Sequence, residues 1–104
     1  MELIHLTDEN FKQETNKQNL VLVDFFATWC GPCRILGPIL ENVADEVENV
    51  DIFKVDVDEN EQTARDFGIM SIPTIVLLKN GQEIARNVGL MNHDSLLEFI
   101  NSHK

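Results

Sequence analysis

The only two cysteines of this 104-residue chain are separated by a Gly-Pro pair, in the segment Trp29-Cys30-Gly31-Pro32-Cys33. Two thiols at this spacing can form a disulfide within one turn of chain and open it again. The pair lies where a strongly apolar run ends and an amphipathic run begins, which predicts a strand-to-helix junction. Redox chemistry is therefore the first interpretation of this segment.

Two other uses of the cysteines stay open at this point but are weaker. A purely structural disulfide would close a very short loop and contribute about 2 kcal/mol, against about 3 kcal/mol for a fifteen-residue loop. A zinc site would need two further ligands. His5, His93 and His103 are too scattered to supply the usual second half of such a site, and we expect all three to be solvated.

The position of Pro32 indicates which cysteine reacts first. Proline suits the first position of a helix, where its missing N–H is not needed. Cys30 would then lie at the helix N-terminus, where unpaired N–H groups and the positive end of the helix dipole favour a thiolate. Cys33 lies three residues later on the same helix face, with its sulfur under the first turn. We therefore predict that Cys30 attacks a disulfide and that Cys33 resolves the mixed disulfide.

The segment Val23–Cys33, reading VDFFATWCGPC, resembles the active-site segment of the thioredoxin family. Lys54, Ile72-Pro73-Thr74 and Val88-Gly89 follow in the order that the family shows. The resemblance extends over essentially the whole chain. It implies one α/β domain over residues 1–104 with the thioredoxin fold, a central mixed five-stranded sheet flanked by four helices in the order βαβαβαββα.

Hydrophobic periodicity predicts the same alternation, with a sheet that is parallel in its centre, helices on both faces, and the cysteines at the carboxyl end of a central strand. The predicted strands are Leu3–His5, Asn19–Ala27, Asp51–Asp56, Thr74–Lys79 and Gln82–Val88, the last two joined by an Asn80-Gly81 turn. The predicted helices run from an N-cap at Thr7 to Lys17, from Pro32 through Pro38 to Val47, from Asn60 to Phe67 with Gly68 closing it, and onward from an Asn92 cap.

Asp24 interrupts the apolar run of the predicted central strand. An unpaired buried carboxylate is very costly, so Asp24 should have a raised pKa, a partner, or both. Lys54 on the neighbouring strand is the candidate partner. A side chain that simply reaches solvent is the alternative. In the family the corresponding aspartate accepts the proton of the resolving cysteine, and the resemblance assigns that role to Asp24 with respect to Cys33.

Sequence alone favours a trans Ile72-Pro73 bond, since few X–Pro bonds are cis. The resemblance implies instead a cis bond that faces the cysteines, so that an extended client segment pairs with the backbone of Ile72. Leu90 and Met91 are balanced between this groove and the core. Phe26 and Met70-Ser71 depart from the commonest family pattern. The candidate substrate-binding residues are Trp29, Gly31, Pro32, Met70, Ile72, Pro73 and Gly89.

Eighteen acidic and eight basic side chains give a net charge of -10. Such a surface repels nucleic acid and anionic lipid, and it favours a soluble monomer. The segment Met1–His5 has neither the basic start nor the apolar stretch of a signal peptide, and no apolar run approaches the length of a membrane span. We therefore expect a cytoplasmic protein, in which a lasting structural disulfide is disfavoured.

The resemblance implies a protein-disulfide reductase that needs no cofactor of its own. A thioredoxin reductase, using NADPH or ferredoxin, would restore the dithiol. The implied clients include ribonucleotide reductase, peroxiredoxin and methionine sulfoxide reductase. Two alternatives stay open: a disulfide isomerase or oxidase on the same fold, and a binding module in which the thiols are incidental.

Overall fold

Strand β2 (Leu20–Phe26) is the central element of the fold, and all of its residues are buried. The computed structural model describes residues 2–104. The apolar run of β2 barely alternates with polar residues, which is typical of a strand that is covered on both faces. The structure confirms that coverage, because separate groups of apolar side chains pack on the two sides of this strand.

The five strands follow the spatial order β1-β3-β2-β4-β5. Pairing is parallel among β1, β3 and β2, whereas β4 is antiparallel to both β2 and β5. Central β2 thus has only one parallel neighbour, because the segment before β4 lies at the carboxyl end of β2 and β4 runs back from there. The remaining strands are β1 (Ile4–His5), β3 (Val50–Asp56), β4 (Thr74–Lys79) and β5 (Gln82–Val88).

Within residues 2–104, four helices cover the sheet, two on each face. The sequence order is the predicted βαβαβαββα, and the thioredoxin fold with its mixed sheet is confirmed. Helices α2 and α4 pack on the face that carries Leu22, whereas α1 and α3 lie on the face that carries Val23. No helix within residues 2–104 is long and apolar enough to cross a membrane. The helices are α1 (Phe11–Thr15), α2 (Gly31–Glu46), α3 (Glu61–Asp66) and α4 (His93–Asn101).

Local sequence signals located most element ends, with one clear exception. The predicted N-cap at Thr7 is wrong, since α1 begins at Phe11 after an irregular turn. Thr7 and Asn10 exchange hydrogen bonds in which the Thr7 N–H donates to the Asn10 side chain (2.8 Å) and the Asn10 N–H to the Thr7 hydroxyl (3.4 Å). This capping-box exchange satisfies the same groups without starting a regular helix.

Three other end signals hold. The Asn92 side chain accepts the Ser95 N–H at 2.8 Å and caps α4 as predicted. Asn80 and Gly81 both have positive φ, at 53° and 76°, which is the backbone that a two-residue hairpin turn requires. Gly68 follows α3 with φ of 60°. Turns and caps are therefore determined largely by the residues that form them.

One carboxyl group lies inside this apolar framework. Asp24 is 0 % exposed in the middle of β2, and neither of its oxygens has a hydrogen-bond partner within the described part of the chain. Burial raises the pKa of Asp24 from 3.8 to about 7, and the positive charge of Lys54 offsets only part of that rise. The predicted perturbation of Asp24 is thus present, and removal from water is its main cause.

We expect Leu77→Ala to lower the free energy of unfolding by about 2–5 kcal/mol, since it leaves a cavity in a closely packed core. Leu77 is fully buried in β4, within the cluster that contacts α2 and α4. Ile84→Ala is the matched control, because Ile84 is 43 % exposed on neighbouring β5, and it should cost about 1 kcal/mol or less. Urea unfolding of the oxidised proteins measures both, and equal losses would contradict this packing.

Asp24→Asn should become increasingly stabilising as the pH rises from about 4 to 7. The carboxyl loses its proton near pH 3.8 in the unfolded chain but only near 7 in the folded protein. The folded state therefore holds more protons in this window, and its stability falls as pH rises. The parent should lose of the order of 4 kcal/mol relative to the variant by pH 8.

Urea unfolding at several pH values measures this difference, and groups that titrate in both proteins cancel. Glu59→Gln serves as the control, since Glu59 is an exposed carboxylate. A stability difference between parent and Asp24→Asn that does not change with pH would show that Asp24 titrates normally.

Candidate active site

Cys30 and Cys33 are joined by a disulfide at the first turn of α2, with their Cα atoms 5.3 Å apart. Cys30 is the N-cap residue, with extended backbone, and its Sγ accepts the Cys33 N–H at 3.2 Å. The helix begins at Gly31, so Pro32 is its second residue and not the first as predicted. Because several N–H groups at a helix start lack intrahelical partners, proline is still accommodated there. The first sulfur thus takes the place of a capping oxygen.

Both cysteines lie in an apolar setting, at 4 % and 3 % exposure. They pack with Phe26 and Ala27 at the end of β2, while the half-buried side chain of Ile72 lies against the same group. The residues around the disulfide are more open, since Gly31 and Pro32 are exposed. The sulfurs therefore lie just beneath an accessible surface.

The segment before β4 brings a backbone carbonyl next to the disulfide. The Ile72–Pro73 peptide bond is cis. The carbonyl oxygen of Ile72 lies 3.9 Å from Cys30 Sγ, which is a contact and not a hydrogen bond because the bonded sulfur has no proton to donate. The Gly89 N–H donates to the Pro73 carbonyl at 2.8 Å. Strands β4 and β5 thus hold the Ile72 backbone beside Cys30.

Two contacts that the sequence did not reveal position the loop ahead of α2. The indole N–H of Trp29 donates to an Asp58 oxygen at 2.7 Å, although the residue remains 67 % exposed. The guanidinium of Arg34 donates twice to the Thr28 carbonyl, at 3.2 and 2.8 Å. The register of β2 against β3 brings Asp58 to this loop. No local sequence pattern connects Trp29 with Asp58, because the two residues are 29 positions apart.

The apolar residues proposed for the groove divide into two groups. Met70 is 95 % exposed and Leu90 is 46 % exposed. Met91 is half-buried and packs against the core under α2 and α4. The sequence left Leu90 and Met91 evenly balanced between the groove and the core. In the structure Leu90 is at the surface, whereas Met91 packs against the core.

Asp24 lies on the face of the sheet that α2 covers. Side chains alternate along a strand, so Asp24 shares its face with Leu22 on one side and Phe26 on the other. Phe26 in turn contacts the cysteines. Lys54 is directly opposite Asp24 in the pairing of β2 with β3. Both predicted members of the proton-transfer pair are therefore on the cysteine side of the sheet, without a direct hydrogen bond between them.

His5 is exposed, in agreement with the predicted solvation, whereas His93 and His103 are half-buried and have hydrogen-bond partners. His93 contacts the carboxylates of Glu46 and Asp94, and hydrogen bonds to Asp94 and then Glu46 raise the pKa of His93. His5 and His103 each pack edge-to-face on a phenylalanine ring. Among residues 2–104, no group of three or more histidine, cysteine or acidic side chains could hold a metal ion.

Comparison with known proteins agrees with this geometry. The family model described as Thioredoxin matches residues 2–102. The chain is 46% identical to thioredoxin of Chlamydia trachomatis over 99 residues, covering 95% of this chain and 96% of that one. It is 42% identical to thioredoxin of Bacillus subtilis over 104 residues, covering 99% of each.

Among solved structures, a mutant thioredoxin from Halobacterium salinarum is similar, with a TM-score of 0.89 and 35% identity over 97% of this chain and 89% of that one. With its Cys30–Cys33 disulfide at the start of α2, the chain belongs to the thioredoxin family, whose members act as protein-disulfide oxidoreductases by dithiol–disulfide exchange.

Proposed function

We propose that this protein is a general reductase of disulfides in other proteins. The observation that carries the proposal is the Cys30–Cys33 disulfide at a helix N-terminus, with Cys30 Sγ accepting a backbone N–H. The N–H groups and dipole that surround this sulfur stabilise negative charge and favour the thiolate once the disulfide is reduced. Reduction of clients uses that thiolate as nucleophile.

The proposed reaction transfers two electrons to the client in two successive thiol–disulfide exchange steps. The Cys30 thiolate attacks one sulfur of the client disulfide, which forms a mixed disulfide and releases the other client sulfur as a thiolate. Cys33 then loses its proton and attacks Cys30 Sγ. The second client sulfur leaves, and the Cys30–Cys33 disulfide forms. The client is reduced and this protein is oxidised, the form that the structure shows.

Asp24 is the proposed acceptor of the Cys33 proton, and Lys54 is its proposed partner. A general base works best when its pKa is near the working pH, and burial raises the pKa of Asp24 to about 7. Asp24 lies on the α2 face of the sheet, two residues before Phe26 on β2, and Phe26 contacts Cys33. This position supports the proposed role. A chain of water could transmit the proton where the two groups do not touch.

The surface around Cys30 is the proposed client site. An extended segment would pair with the backbone of Ile72, and backbone pairing tolerates many client sequences. An exposed indole and a flexible thioether at the rim suit loose recognition of varied surfaces. The proposed contacts are Trp29, Gly31, Pro32, Met70, Ile72, Pro73 and Gly89.

The protein also needs a source of electrons, for which we propose a thioredoxin reductase. The proposed clients include ribonucleotide reductase, peroxiredoxin and methionine sulfoxide reductase. We further propose that the chain acts as one domain and as a monomer in the cytoplasm. Its net charge of -10 supports the monomer, and its redox-active cysteine pair supports the reducing compartment.

Reduction of insulin by dithiothreitol, with and without this protein, tests the proposed activity. The parent should accelerate the reaction strongly, whereas Cys30→Ser and Cys33→Ser should each lose the acceleration because each lacks one half of the dithiol. Cys33→Ser should in addition accumulate a mixed disulfide through Cys30, visible as a mass increase on the intact protein.

The same assay separates the alternatives. Folded, reduced parent that fails to accelerate insulin reduction would overturn the general-reductase proposal. Trapping through Cys33 in the Cys30→Ser variant, with none through Cys30, would reverse the roles of attacker and resolver. A cellular function that survives in the double serine variant would indicate a binding module.

Asp24→Asn should slow the second step by about tenfold or more near pH 8, since a positioned base is lost. Reduced protein is mixed with a chromogenic aromatic disulfide, and release of the second thiol reports attack by Cys33. In the parent this rate should rise as pH passes through about 7, where Asp24 loses its proton. The variant should lack that rise, and Glu59→Gln should retain it. An unchanged profile in Asp24→Asn would remove Asp24 from the mechanism.

A further inference from the structure

We propose that the face of Phe26 holds the ammonium group of the half-buried Lys54 beside Asp24. Phe26 is thereby a positioning residue for proton transfer at the cysteines, with no contact to the client required of it. This inference rests on the role proposed above for Asp24. It assigns a specific task to Phe26, one of the residues at which this chain departs from the commonest family pattern.

The ammonium group lies close to an aromatic ring and a helix. Lys54 Nζ is 4.3 Å from the centroid of the Phe26 ring, a distance at which the negative face of the ring attracts a cation. A Cβ atom added to Gly37 of α2 would be 3.7 Å from the same nitrogen. Lysine side chains ordinarily extend their charge into water, whereas the ammonium group of half-buried Lys54 lies close to both a ring and a helix.

This charge is placed to act on Asp24. Asp24 and Phe26 are two residues apart on β2 and share one face, while Lys54 is opposite Asp24 on β3. The Lys54 side chain therefore extends along the strands, from the level of Asp24 toward the ring. The oxygens of Asp24 accept no hydrogen bond from it, so the influence of the ammonium is through space.

Other titratable groups stand on the elements around this cation. The imidazole of His5 on β1 lies edge-on to the Phe26 ring, with centroids 5.4 Å apart. Asp56 is opposite Phe26 on β3, and one of its oxygens accepts the Asp58 N–H at 2.9 Å. Glu41 lies one helical turn beyond Gly37 on α2. Among the charges of residues 2–104, Lys54 is the one that lowers the pKa of Asp24 against the effect of burial.

A double-mutant cycle between Phe26 and Lys54 tests the proposal. The pKa of Asp24 is measured from the carboxyl ¹³C chemical shift in the oxidised protein, where the cysteines do not titrate. The four proteins are the parent, Phe26→Leu, Lys54→Met and the double variant. Phe26→Trp is the matched control, because it keeps an aromatic face at this position.

Lys54→Met should raise the pKa of Asp24, because the nearby positive charge is gone. Phe26→Leu should raise it by about half a pH unit or more, roughly a threefold change in acid dissociation constant, since the released ammonium extends into water. In the Lys54→Met background the same change should produce no rise, and Phe26→Trp should keep the parent value. An equal rise in both backgrounds, or no rise in either, would overturn the proposal.

The chromogenic assay gives a second readout. In Phe26→Leu the pH at which the second step accelerates should move upward by the same amount as the pKa of Asp24. A structural loss alone would lower the rate at every pH without moving the profile, and that result would count against the proposal. The titration reports where the cation lies even if Asp24→Asn leaves the kinetics unchanged, so failure of the base role and failure of the positioning role are distinguishable.

Discussion

The pairing of β2 between β3 and β4 is the constraint on which the active site depends. Because β2 is buried on both faces, its register to each neighbour is determined by packing, and a slip of one residue would turn its apolar side chains to the wrong side. That register places Lys54 beside Asp24 and Asp58 near Trp29. Cys30, which follows this rigid strand, is thereby positioned at the start of α2, next to the backbone of Ile72.

The same burial that stabilises β2 makes Asp24 a cost to the fold. A carboxyl group in this position would stabilise the protein most as a neutral acid, yet the proposed chemistry needs it to exchange a proton near neutral pH. On that proposal, function retains a group that packing alone would replace, a common compromise between stability and activity. In the arrangement proposed above, Lys54 moderates this compromise without a hydrogen bond to Asp24, because its charge contacts the aromatic face of Phe26.

Much of the fold could be predicted from sequence, because its signals are local. The two-sided apolar run of β2, the Asn80-Gly81 turn and the Asn92 cap each depend on residues that are close in the chain. The start of α1 could not be predicted, since Thr7 caps an irregular turn as readily as a helix. Strand β2 is parallel to β3 but antiparallel to β4. This mixed pairing depends on where the chain returns to the sheet after α3, which hydrophobic periodicity does not encode.

For the site, the sequence by itself determined which groups carry the chemistry, namely a dithiol at a helix start and a carboxyl in an apolar strand. It also predicts that Cys30 is the nucleophile. Spacing and residue type suffice for such inferences. Only the tertiary structure decided which distant groups surround these residues, namely Asp58 at Trp29, the Ile72 carbonyl at Cys30 and the ring of Phe26 at Lys54. Contacts of this kind depend on strand register and helix placement, which arise from packing the whole chain at once.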